Sequence, residues 1–279
     1  VPDTGKEYGQ LVLYRLRPGA DRSEIAFDNL GYADAAIASY QTFARLKREG
    51  TIPAATRFLV CLPTPLAPVT AFIERASQSA VEPPYEAQML AEVDRICAAI
   101  PRDQLAIQWD TAVEFAIWEG VGWQSHLDDV RGGIIDRLVR IGEHVPADVE
   151  MGYHLCYGDA GHQHFVQPKD AANLVTVAND VSARVQRPIN WIHMPVPRER
   201  DDESFFAPLA DLKLHPETEL YLGLVHYTDG VEGARKRIAA AQRFVPTFGV
   251  ATECGFGRRP PETVAPLMEI HRDVADGAH

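Results

Sequence analysis

Glu150-Met151-Gly152-Tyr153-His154-Leu155-Cys156 is an apolar run that ends in an imidazole and a thiol. It does not alternate strictly between polar and apolar residues. A strand of this kind is buried on both faces, as in a parallel sheet covered by helices. An amphipathic stretch, Lys169–Val185, follows it, and then a second apolar run, Ile189–His193. The same alternation extends outward in both directions. Strand-like runs fall at Arg57–Leu62, Leu105–Asp110, Glu219–His226 and Thr247–Glu253. Helix-like runs fall at Tyr32–Lys47, Val69–Ser79, Tyr85–Ala99, Leu127–Gly142, Val231–Phe244 and Pro261–Val274. Strands that alternate with helices predict right-handed βαβ units and a parallel sheet.

The expected fold class is α/β, a (β/α)8 TIM-type barrel in a single domain over residues 1–279. Six βα units are legible from residue 57 onward, and a closed barrel needs about eight. Before residue 57 only Gln10–Leu16 looks strand-like, so the first strands are not located. An open doubly wound sheet is the alternative. Pro84 and Pro261 are expected in first turns, where the missing N–H costs nothing.

Charge and composition exclude several classes. The net charge of −12 is the wrong sign for a surface that displaces counterions from nucleic acid. No apolar run reaches the roughly 18 residues of a membrane span, and no leader is visible, so a cytoplasmic location is expected. The expected partner is a small-molecule substrate, and a homo-oligomer is compatible with the composition. The four cysteines, Cys61, Cys97, Cys156 and Cys254, are too widely spaced for a disulfide framework. Each taken alone reads as a core residue, a ligand or a nucleophile, and core is the commonest role. Cys61 and Cys97 are taken as core.

The chemistry concentrates at strand ends. Asp110, His154, Cys156, His193, His226, Glu253 and Cys254 all close or follow apolar runs. In a barrel those ends form one face, and that face carries the active site. His154 and Cys156 are two apart, so on a strand they point to the same side. With Cys254 and His193 from other strands they form an N/S donor set suited to zinc. His193 also reads as a hydrogen-bonded core histidine or a substrate contact. His226 reads as a general acid or base, or as a structural histidine. Trp109 and Trp191 could line an aromatic pocket. His164, with His162 in the loop after Gly158, reads as a solvated loop residue or a substrate contact. The loop Gly255-Phe256-Gly257-Arg258-Arg259 reads as a glycine turn or an anion site, with Arg258 as the expected substrate contact. Arg198 and Arg200 sit beside Glu199, Asp201 and Asp202, and read as a self-paired loop.

His154-Leu155-Cys156-Tyr157, followed about 100 residues later by Thr252-Glu253-Cys254-Gly255, resembles the zinc-binding part of the cobalamin-independent methionine synthases. Pro63-Thr64-Pro65-Leu66-Ala67-Pro68-Val69-Thr70 is similar to the family's Gly-Pro-Val-Thr turn. Ile107-Gln108-Trp109-Asp110 is similar to its strand ending in aspartate. The resemblance runs from about residue 57 to the C-terminus. It implies a (β/α) barrel with zinc held by His154, Cys156 and Cys254, and Asp110 holding the amino group of a homocysteine-like substrate. It also implies methyl transfer from a folate to a zinc-activated thiol.

The departures bear on chemistry. The family's glutamate ligand falls where this chain has His193, and its catalytic Asp-x-His falls near His226-Tyr227-Thr228. The family's N-terminal folate-binding half has no counterpart in these residues. Replacing a carboxylate ligand by imidazole makes the zinc site more nearly neutral and a stronger Lewis acid. Three functions follow. They are a zinc methyltransferase acting on a thiol or small substrate, a zinc lyase, hydrolase or demethylase acting on a small carboxylate, aromatic or not, and a non-catalytic zinc-binding barrel.

Overall fold

The structure is a computed structural model that describes residues 12–158, 164–257 and 259–275. Its contacts divide into two units, Val1–Gly152 with Val185–Pro188, and Tyr153–Arg184 with Ile189–His279. Six strands in the order β1-β2-β3-β4-β5-β6 make up the sheet, and helices follow them in sequence.

In the first unit, α1 (Tyr32–Arg48) leads to β1 (Phe58–Pro63), α2 (Leu66–Phe72), α3 (Arg75–Ala99), β2 (Leu105–Thr111), α4 (Val113–Trp118) and α5 (Val130–His144). β1 and β2 pair in parallel, from Phe58 opposite Leu105 to Pro63 opposite Asp110. β3 (Glu150–Leu155) begins here and ends in the second unit. Glu92 of α3, fully buried, reaches the start of α1, where its two oxygens accept from the N–H groups of Leu30 (3.2 Å) and Ala33 (2.7 Å). A carboxylate there satisfies donors that a helix N-terminus leaves open and complements its positive end.

The stretch expected as two helices, Val69–Ser79 and Tyr85–Ala99, is divided elsewhere. α2 ends at Phe72, and α3 runs through Pro83 and Pro84 to Ala99. Pro84 is therefore inside a helix and not in a first turn. Proline removes a helical hydrogen bond and its ring crowds the preceding turn. Burial on both sides of the pair overrides that penalty. Val81 lies before it, and Met89, Val93 and Ile96 lie after it, each in the core. The buried Glu82, beside the prolines, receives both nitrogens of an Arg137 fork, with Nη2 at 2.8 Å.

Of the expected strand Gln10–Leu16, residues 10 and 11 lie outside the described residues. Tyr14 forms an isolated parallel bridge to Ile73, with its N–H 2.7 Å from the Phe72 carbonyl.

In the second unit, α6 (Ala172–Arg184), β4 (Trp191–Pro195), α7 (Glu203–Phe206), β5 (Glu219–Val225), α8 (Gly230–Ala241), β6 (Gly249–Thr252) and α9 (Val264–Ala275) follow β3. β4 pairs β5 in parallel from Trp191 opposite Glu219 to Pro195 opposite Gly223. β5 pairs β6 in parallel, and the register shifts between Leu222 and Val225. α7 follows the irregular stretch after β4, and Asp202 caps it by accepting from the Phe205 N–H at 3.1 Å. Pro261 does occupy a first turn, that of the short 3-10 segment Pro261–Thr263.

Candidate metal centre

The C-terminal ends of β3 and β6 bring three donors together. His154 and Cys156, two apart, are both buried, and Cys254 follows β6 by two residues and is half-buried. One ligand atom of each lies within 4.8 Å of the others. A tetrahedral zinc with thiolate bonds of about 2.3 Å and imidazole bonds of about 2.0 Å needs donors roughly 3.5–3.8 Å apart. The three are therefore gathered to within about 1 Å of a ligand set before any ion draws them in. Two sulfurs and one imidazole nitrogen also fit a soft-to-borderline ion such as zinc. Burial, reinforced by the neighbouring His193, holds the His154 imidazole well below its ordinary pKa, which keeps it in the neutral form a metal needs.

Two glycines let the chain reach this geometry. Gly158 has φ +86°, its N–H donates to Cys156 Sγ at 3.2 Å, and a Cβ there would meet the Phe165 ring at 2.4 Å. Gly223 faces the end of β6, where a Cβ would stand 2.8 Å from Glu253 Cα. Only the absence of a side chain lets β6 come that close, and the β5–β6 register shifts in the same stretch, between Leu222 and Val225.

His193 stands apart from the three-donor cluster. Its ring stacks on that of His154 with centroids 4.4 Å apart, and its Nε2 is 3.0 Å from the Thr252 carbonyl. Nε2 must donate in that contact, so it is not available as a ligand in this arrangement. Burial lowers the His193 pKa to about 4.

Beside the cluster, Glu253 joins two histidines. Its Oε1 is 3.1 Å from His164 Nε2 and its Oε2 is 3.4 Å from His226 Nδ1. His226 Nε2 is 2.9 Å from the Val196 carbonyl and must donate to it. In the neutral ring Nδ1 then has no proton, so it faces Glu253 as a base. Burial draws the His226 pKa down, and the Glu253 charge opposes that. Asp229 and Arg237 brace the turn after β5 with two contacts, at 2.7 and 2.9 Å. His164, His226 and Glu253 line a cavity of about 1010 Å³. Glu253 is visible in the sequence as a strand-end acid, but nothing in the spacing announces that it bridges two histidines.

The remaining expected site residues are placed as follows. Trp109 is wholly buried in the first unit. Asp110, half-buried in the same unit, accepts from Gln108 Nε2 at 2.9 Å. Arg258 and His162 lie outside the described residues. Trp191, at the start of β4, is half-buried.

The fold and cluster define an α/β protein with a candidate metal centre at strand ends, an arrangement that supports catalytic activity. Among the described residues no helix is long and apolar enough to cross a membrane. No family model matches the chain, and no curated protein matches it. Among solved structures it is similar to one named "Putative Vitamin-B12 Independent Methionine Synthase", from Listeria monocytogenes, at 15% identity and a TM-score of 0.48. The match covers 77% of this chain and 63% of that one, so this chain spans less than two thirds of that protein's length.

Proposed function

We propose that the chain is a zinc-dependent enzyme on a (β/α)8 barrel, with the chemistry of a methyltransferase of the cobalamin-independent methionine synthase type. One observation carries this reading. His154, Cys156 and Cys254 meet within 4.8 Å at two strand ends far apart in sequence. Three protein donors leave a tetrahedral ion one position for substrate, the pattern of catalytic zinc. Zinc bound there would supply Lewis acidity, lowering the pKa of a substrate thiol or polarising a carbonyl.

The chain's own groups do the rest. His154 and Cys156 hold the ion from β3, and Cys254 holds it from the end of β6. His226 takes or returns a proton at Nδ1, and Glu253 stabilises the ring while it carries that proton. His193 stacks on His154 and orients its ring.

A second reading is favoured by the donor set itself. Two thiolates and one imidazole give a site of net charge near zero, with no carboxylate among the gathered donors. Such a site is more acidic than one carrying an extra carboxylate. That suits a lyase, hydrolase or demethylase acting on a small carboxylate.

Elemental analysis tests the shared premise. About one zinc per chain is expected in the wild type, with loss in both Cys156→Ala and Cys254→Ala. Freshly purified, folded wild type without zinc would sink the proposal. In a cobalt-substituted sample, a spectrum that shifts with an added thiol supports the methyltransferase reading. A spectrum that responds only to carboxylates supports the second.

A further inference from the structure

We infer that the cavity beside the metal centre is an anion site, in which Arg259 receives the carboxylate of a small organic acid with an apolar body. This deepens the enzyme reading by naming a substrate class, and its role in catalysis rests on that reading.

The contrast among arginines carries the inference. The chain is acidic, and among the described residues three other enclosed guanidinium groups are engaged. Arg137 forks onto Glu82, Arg237 onto Asp229, and Arg187 donates to the carbonyls of Val145, Pro146 and Val149. Arg259 lines the cavity with a buried Nε that meets no acceptor among the described residues. An enclosed guanidinium nitrogen without an acceptor is costly, and a ligand that supplies one removes that cost.

Hydrogen bonds and prolines frame Arg259. Its backbone N–H donates to the Phe256 carbonyl at 2.9 Å, and Pro260 and Pro261 follow directly. Thr263, also on the cavity wall, closes the turn by donating from N–H and hydroxyl to the Pro260 carbonyl at 2.9 and 2.8 Å. Little ordering is left to do when a ligand arrives. A second cation, Arg198, lines the same cavity, with Nη1 3.3 Å from Thr228 Oγ1 and its other nitrogens on Glu199. Opposite in character, Phe165, Val166 and Tyr227 give the cavity apolar walls. Glu199 and Glu253 also line the cavity, but Glu199 is held by Arg198 and Glu253 by two histidines; an unpaired guanidinium nitrogen beside apolar walls matches an acid such as an arylacetate better than a bare oxyanion. The guanidinium fork matches a carboxylate in two parallel bonds.

The test is calorimetric titration of the full chain with phenylacetate and, separately, with inorganic phosphate. Each is run on zinc-loaded and on chelator-treated protein. Phenylacetate is expected to bind the wild type. Arg259→Gln should weaken that binding about tenfold or more, with Arg259→Lys in between, because the lost contact is a charged hydrogen bond. Zinc content should be unchanged in both variants. The inference is overturned if phenylacetate fails to bind folded wild type, or binds Arg259→Gln equally well. It is also overturned, as to ligand class, if phosphate alone binds and depends on Arg259. Arg259-dependent phenylacetate binding by a chain that holds no zinc would uphold the site while removing the zinc reading.

Discussion

Glu114 is buried, with the Thr64 hydroxyl on one oxygen and the Ala112 N–H on the other at 3.0 Å. Burial raises its pKa. The sign of the consequence follows from linkage. The unfolded chain releases this proton at an ordinary carboxyl pKa, and the folded chain holds it to higher pH. Between the two values the unfolded state binds fewer protons, so stability falls as pH rises. Glu114→Gln should flatten that decline above the ordinary carboxyl range. Denaturant melts across pH check it, and an unchanged slope would mean Glu114 ionises freely. Thiol reactivity gives a second prediction at this scale. Cys97 is buried and its pKa is raised to about 11, mainly by burial, whereas Cys61 is exposed. In zinc-loaded protein a thiol reagent should modify Cys61 rapidly and Cys97 slowly, and chelation should add Cys156 and Cys254 to the reactive set. Peptide mass mapping reads the order. His154, Cys156 and Cys254 were legible in the sequence because soft donors at apolar strand ends are chemically conspicuous. The place of His193 was not, because its Nε2 partner is a backbone carbonyl that any residue at position 252 would offer.

Elements carry the next set of consequences. α3 passes through Pro83 and Pro84 because its flanking turns are buried. Pro83 is exposed, so Pro83→Ala should restore a helical N–H with little loss of packing. A gain of about 1–2 kcal/mol is expected, since the interior penalty of proline is offset in part by its effect on the unfolded chain. Thermal unfolding decides it, and a lowered melting temperature would mean that the proline ring packs or that the kink is needed. Gly223 has the opposite character. Gly223→Ala should push the end of β6 away from β5 and lower zinc content, while the far-UV spectrum stays unchanged. Strand positions were readable from hydrophobic runs alone, and all six begin within two residues of the expected start. The helix boundaries around Pro83 were not, because local propensity marks proline as a stop and only tertiary burial reverses it.

At the scale of the whole molecule, the six strands follow one another in chain order, as a succession of βα units requires. That much was legible from alternation. The strands needed to complete eight were not, since the described part of the early strand-like stretch offers only the bridge at Tyr14. Metal removal should act on the molecule as a whole. A ligand that binds only the folded chain stabilises it by about 4 kcal/mol when free at a thousand times its dissociation constant. Chelation is therefore expected to lower the melting temperature of wild type and to leave Cys156→Ala unmoved. Calorimetry with and without chelator checks this, and equal shifts in both would assign the stabilisation to another site.

His154 and Cys156 lie on one strand, and Cys254 lies two residues beyond the last. An ion held by all three would act as a cross-link, tying off a loop of roughly a hundred residues much as a disulfide would. Such a knot is cheap in the native state and costly to form early, because its ends meet only after three intervening strands have been laid down. Ion uptake would then be a late step of folding, and a nascent chain that has not yet emitted Cys254 would carry no more than half a site.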